Sequence, residues 1–274
     1  MAKEFISNRI IDNLIKVMRI ATQHSLHKES GIEEQENSLR YFTGCEFPFF
    51  NGVFNDYKNN ELELIDNLEK ATQFFTGQDT PFIWWWTQQT EVPEKIKACL
   101  DMEGFQFLGD FLGIAANLNG IKFTAPGERI EIGIVNNEKE YQFFLDIICE
   151  VFQMSEAIKS DLKAMYSSYG PQGKFTHYLG YYGGEPVATL TSYIDGSIVG
   201  LYNGATLANF QKHGLCTSLA DYAIKEAISS GCQYAVSQLM APGMAKGISE
   251  KMGFQTHCKL LPFLKDPRAI PISV

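Results

Sequence analysis

The sequence contains no CxxC pair. Its six cysteines, Cys45, Cys99, Cys149, Cys216, Cys232 and Cys258, are scattered over 274 residues. That spacing fits neither a zinc site nor a small disulfide scaffold, and it suits a reducing compartment. His24 and His27 stand three apart with Glu33 and Glu34 nearby, but no further ligands are evident. They read as a polar helix end, and no metal is expected. No apolar run is long enough to cross a bilayer, and residues 1–9 lack the apolar core of a secretion signal. A cytoplasmic protein away from the membrane is the expectation. Positive charge is also scarce: 23 Lys and Arg face 32 Asp and Glu, a net charge of −9. The deficit is uneven, with 11 basic against 18 acidic residues in 1–124 and 12 against 14 in 125–274. Such a surface argues against nucleic acid as a partner. It serves solubility, and it is compatible with a cationic amine as substrate.

What is present is a chain with material for two cores. Hydrophobic residues make up 45% and charged residues 20%, and the length is comfortable for two domains. Apolar periodicity places helices near 8–23, 62–75, 93–103, 138–152, 156–166, 218–229 and 242–252. Strands are expected at 39–42, 48–54, 80–87, 105–118, 129–135, 197–206 and 233–239, with a last one starting at Gly253 and Phe254. Residues 175–182 and 186–194 flank Gly183 and Gly184 and read as a hairpin. Residues 28–38 read as a charged loop or helix end. Residues 170–173 break the chain, and residues 119–127 have turn composition, so the halves divide as 1–123 and 124–274. Trp84, Trp85 and Trp86 alternate on a strand, which implies a central strand covered on both sides.

The halves repeat one another. Residues 84–105 lie over 233–254 without a gap, placing Pro93 on Pro242, Lys97 on Lys246, and Gly104 and Phe105 on Gly253 and Phe254. Both segments read as strand, loop, Pro-led helix, Gly-Phe, strand. The second half carries one feature that the first lacks. Between strand 197–206 and helix 218–229 stand Gln211, Lys212, His213, Gly214, Leu215, Cys216 and Thr217. A loop that enters a helix after a glycine presents unpartnered N–H groups along the positive end of the helix dipole. With Lys212 and His213 at its rim, it reads as a seat for a diphosphate.

The order Gln-x-x-Gly-x-Cys at 211–216 resembles the Gln/Arg-x-x-Gly-x-Gly/Ala loop of the GNAT superfamily of N-acetyltransferases. Residues 200–207, 231–239 and 248–254 are similar to that family's fourth strand, fifth strand and Leu-Gly-Phe ending. The whole chain resembles a tandem type, in which a degenerate N-terminal half precedes a complete one. Tyr202, Asn203, Ala205 and Thr206 stand where that type carries Tyr-Asn-x-Ala-Thr. The resemblance implies an α/β fold of two tandem GNAT-like domains, each a twisted mixed sheet flanked by helices, with strands four and five splayed in the second. It implies acetyl-CoA as cosubstrate, with its pyrophosphate on residues 211–217 and its pantetheine along Ala205, Thr206 and Leu207. It implies direct transfer of acetyl to a primary amine, either a small molecule or a peptide, by a monomer or homodimer. Tyr202 and Asn203 would position substrate or water. Ser249 stands where the family has a Tyr that protonates the departing thiolate, and Cys216 replaces the loop's second small residue as a buried, inert thiol. An acyl-CoA-binding module without catalysis is the alternative that the missing Tyr favours.

Overall fold

The computed structural model describes residues 2–35, 38–55, 61–87, 91–167, 175–241 and 243–269. Pro242 and the break at 170–173 lie outside the described residues. The chain begins with α1 (Ala2–Gln23), β1 (Gly31–Gln35), β2 (Ser38–Phe42), β3 (Asn51–Asn55), α2 (Glu61–Gly77), β4 (Phe82–Trp86), α3 (Glu94–Met102), β5 (Gln106–Phe107) and β6 (Asp110–Asn117). It continues with β7 (Ile130–Ile134), α4 (Glu138–Val151), α5 (Glu156–Met165), β8 (Phe175–Tyr182), β9 (Glu185–Asp195), β10 (Ile198–Thr206), α6 (Leu215–Ser229), β11 (Tyr234–Ala241), α7 (Met244–Lys251) and β12 (Gln255–Lys265).

Three local expectations are corrected. The charged stretch at 31–35 is a strand, because its backbone ladders antiparallel onto β2 and its mostly exposed side chains remain in water. Residues 48–50 form a 3-10 turn led by Pro48, and the strand begins only at Asn51. The single strand expected over 105–118 is interrupted between β5 and β6, where Gly109 adopts a φ of 99°.

By its internal contacts the chain divides into two compact units. One takes in Ile15–Leu112 and Cys258–Val274, the other Met1–Leu14 and Gly113–His257. The first is a mixed sheet in the order β1-β2-β3-β4-β12, with β3 and β4 parallel and β12 antiparallel to β4. All three Trp are buried. Trp84 and Trp86 share one core with Leu64, Leu68 and Phe75 of α2 and Ile96 and Leu100 of α3. Trp85 faces the other way, stacked on Phe54 at 5.6 Å, with its indole N–H donating to the Tyr41 hydroxyl at 2.9 Å.

The second unit is a mixed sheet in the order β6-β11-β10-β9-β8-β7, with α6 packed on β8, β9 and β10. Each unit is thus a mixed sheet flanked by helices. The repeat read from the sequence has a structural counterpart. Helices α3 and α7 both end at a glycine of positive φ, Gly104 at 75° and Gly253 at 91°. The next N–H closes each helix end, Phe105 onto the Leu100 carbonyl and Phe254 onto the Ser249 carbonyl. After the first cap the short β5 pairs with β12, but the long strand that follows each cap does not stay with its own half. β6 lies beside β11, whereas β12 pairs with β4. A single cut at 123/124 therefore does not coincide with the units: strand residues on both sides of it are exchanged, and the first part of α1 belongs with residues 113–257.

Candidate acyl-CoA site

Strands β10 and β11 run parallel and pair over Ile198–Tyr234, Val199–Ala235 and Gly200–Val236. Both continue beyond that point, to Thr206 and Ala241, without further pairing between them among the described residues. The edges therefore part beyond Gly200. Ser237 occupies the start of the gap, its hydroxyl donating to the Leu201 carbonyl at 2.8 Å. A bulge in β10 lies beside the gap: Tyr202 faces Thr191 of β9, and the next pair is Ala205 with Thr189. Asn203, in this bulge, takes a φ of 52° and is pinned twice. Its side-chain amide donates to Thr191 Oγ1 at 3.1 Å, and its carbonyl accepts from Thr189 Oγ1 at 2.9 Å.

At the far end of β10, Leu207 gives its N–H to the Val187 carbonyl of β9 at 2.9 Å. Backbone groups alternate along a strand, so the Thr206 N–H faces the opposite edge, toward the gap. The Gln211 side chain reaches the Thr206 carbonyl at 3.4 Å and ties the loop to the strand. The loop then turns through Lys212 (φ 66°) and Gly214 (φ 89°) into α6. Gly214 is the residue at the helix N-terminus, and no side chain caps it. Among the described residues, the N–H groups of Lys212, His213, Gly214, Leu215, Cys216 and Thr217 meet no protein acceptor. A Cβ on Gly214 would touch only Ile130 Cδ1, at 3.9 Å, so the space above the glycine is open. Six free donors around an open glycine fit a diphosphate. Cys216 is exposed rather than buried, which corrects that expectation; desolvation of its thiol by neighbouring atoms nonetheless holds its pKa above the ordinary value.

The other residues singled out from the sequence have mixed placements. Tyr202 is on the strand beside the gap, and its hydroxyl donates to Asn13 Oδ1 at 2.6 Å. Burial of the phenol drives its pKa well up, so it is held protonated as a donor. Ser249 lies on α7, half-buried, with its hydroxyl bonded back to the Ala245 carbonyl one turn earlier. Asn13, Ser237, Thr191 and His177 were missed. Asn13 had a signal: it sits three residues after Ile10 on the apolar stripe of α1, a polar side chain where burial is expected. It is 1% exposed, and its Nδ2 finds no acceptor among the described residues.

His177 lies beneath the bulge, fully buried. Its Nε2 is 3.1 Å from the Tyr166 carbonyl, which can only accept, so Nε2 carries the proton. Nδ1 then accepts from the Thr191 hydroxyl at 2.9 Å, and that hydroxyl in turn accepts from Asn203. The ring packs 4.3 Å from Phe144. Burial lowers its pKa to about 4.

Among the described residues no helix is long and apolar enough to cross a membrane, and no group of three or more His, Cys, Asp or Glu is placed to hold a metal ion. Residues 142–254 match the family model described as Acetyltransferase (GNAT) family, which covers β8 to α7 and thus the gap and the loop. This part of the chain therefore carries the sequence pattern of that family. Solved structures extend the likeness in fold to nearly the whole chain. A functionally unknown conserved protein from Staphylococcus epidermidis is 13% identical, with 88% of this chain and 96% of that one covered at a TM-score of 0.72. A GCN5-related N-acetyltransferase from Kribbella flavida is 16% identical, with 92% and 96% covered at 0.67. A tandem GNAT protein from the clavulanic acid biosynthesis pathway is 7% identical, with 93% and 88% covered at 0.60. Comparison with curated proteins gives no match.

Proposed function

We propose that the protein is an acetyl-CoA-dependent N-acetyltransferase acting on a primary amine, with its donor site in residues 113–257. The observation that carries this reading is the conjunction of two openings: parallel strands that part after Gly200 and Val236, and six unpartnered N–H groups at residues 212–217 beside them. When bound, acetyl-CoA supplies an acetyl group activated as a thioester. The amine forms the new C–N bond as the C–S bond breaks; the amine gives up a proton and the thiolate takes one. The backbone N–H groups of residues 212–217 hold the diphosphate through charge-assisted bonds. The open edge of β10 at Ala205, Thr206 and Leu207 receives the extended pantetheine arm as an added strand. The Thr206 N–H, facing the gap, polarises the acetyl carbonyl. Tyr202 and Asn203 are positioning residues: both side chains are committed, to Asn13 and Thr191, and fix the shape of the strand at the bulge. Ser249 is the residue on α7 that stands nearest in sequence pattern to a thiolate acid.

A reading without catalysis keeps one observation in its favour. The Ser249 hydroxyl already donates to the Ala245 carbonyl, so its proton is committed within the helix. A non-catalytic acyl-CoA sensor would need the loop and not the acid. Gly214→Val tests the donor site that both readings share. A side chain there fills the diphosphate seat and strains a φ of 89°, so acetyl-CoA affinity measured by calorimetry should fall at least a hundredfold, about 3 kcal/mol. Unchanged affinity would remove the loop from the site. Release of CoA thiol with a panel of amines then separates enzyme from sensor.

A further inference from the structure

In a chain with a net charge of −9, basic side chains without a carboxylate partner are informative. Three of them surround the loop at 211–214. Arg129, just ahead of β7, lies with its guanidinium carbon 4.4 Å from the centre of the Tyr182 ring. His213, in the loop itself, lies with its ring centre 4.7 Å from the same Tyr182 ring. Phe210 packs edge-on against that ring at 6.0 Å. Lys212 is the third, exposed beside His213. Among the described residues none of the three forms an ion pair with Asp or Glu, whereas Arg19, Arg40 and Arg268 all do. The local fold fixes the arrangement. Ile130 and Tyr182 face one another across β7 and β8, and Gly183 donates its N–H to the Arg129 carbonyl at 2.9 Å. The tight turn at Gly183 leaves room for the guanidinium, whose Nη2 would be 3.0 Å from a Cβ placed there.

Tyr182 thus holds an arginine and an imidazole against one ring, next to the six open N–H groups. We infer that Arg129, His213 and Lys212 form a second anion seat that takes the 3′-phosphate of the CoA adenosine, while residues 212–217 take the diphosphate. This inference rests on the acyl-CoA reading of the loop. Arg129 offers a planar fork of donors to phosphate oxygens, and its contact with Tyr182 pre-orients that fork. His213 offers an N–H whether or not it is protonated. The ligand selected is a 3′-phosphorylated adenosine diphosphate thioester, in preference to the same thioester without the 3′-phosphate.

The test compares acetyl-CoA with acetyl-3′-dephospho-CoA by calorimetry, on the full chain and on Arg129→Gln. Arg129 is exposed, so its replacement leaves the core intact. The parent should bind acetyl-CoA about tenfold or more tightly than the dephospho compound, and rising salt should narrow the gap. Arg129→Gln should lose about tenfold for acetyl-CoA and nothing for the dephospho compound. Equal affinity of the parent for both ligands would overturn the second seat while leaving the loop in place. An equal loss for both ligands in Arg129→Gln would overturn the role of Arg129. Binding of neither ligand by the parent would overturn the acyl-CoA reading and the seat with it.

Discussion

Acid should act on this protein through His177, and the size of the effect follows from the structure. The imidazole is buried, packed against Phe144, donating from Nε2 to the Tyr166 carbonyl and accepting at Nδ1 from Thr191. In the unfolded chain such a ring takes up a proton near pH 6.5, but in the folded protein only near pH 4. Between those values the unfolded state binds more protons, so acid favours it. The stabilisation is complete above about pH 6.5 and is lost as pH falls toward 4. A shift of this size corresponds to about 3 kcal/mol. His177→Gln removes the titration and can retain a donor toward Tyr166. Urea midpoints of the parent and the variant, followed by tyrosine and tryptophan fluorescence from pH 7 to 4, isolate the contribution, since the carboxylates are common to both. The variant should start less stable at pH 7, and the difference should shrink by about 3 kcal/mol by pH 4. Because Thr191 links His177 to Asn203 in the bulge of β10, acetyl-CoA affinity should weaken over the same window in the parent only. Parallel pH profiles for the two proteins would refute the buried, neutral imidazole.

Gly200→Ala places a Cβ 2.0 Å from Asn13 Oδ1 and 2.5 Å from the Tyr202 ring, so it should cost roughly 1–3 kcal/mol by urea titration; a neutral result would mean that α1 does not press on β10 as described. Ser249→Tyr should raise kcat with little change in KM for acetyl-CoA if protonation of the thiolate limits the rate, while Ser249→Ala should change stability by less than about 0.5 kcal/mol. A loss of several orders of magnitude in Ser249→Ala would instead make the serine essential. A fragment cut to residues 124–274 loses β6 from beside β11 and leaves β12 without β4, so circular dichroism and amide exchange should show it poorly folded; a stable fragment that binds acetyl-CoA would contradict the strand exchange.

The features legible in the sequence were those written over short distances. The alternation of Trp84, Trp85 and Trp86 gave opposite faces of one strand, and the Gly-Phe pairs at 104–105 and 253–254 marked helix ends because only glycine sits easily at positive φ. The loop at 211–217 was visible for the same reason: strand, glycine and helix lie within one short segment. The edge strand β1 was lost because its pattern is charged; its order comes from backbone pairing with β2, to which side-chain periodicity is blind. What only the tertiary structure decided are the contacts between residues far apart in the chain. Tyr202 meets Asn13 across 189 positions, His177 meets Thr191 and Tyr166 under the bulge, and Arg129 reaches the loop through Tyr182. The exchange of β6 and β12 belongs to the same class, since pairing β12 with β4 and placing β6 beside β11 joins strands that lie far apart in the chain.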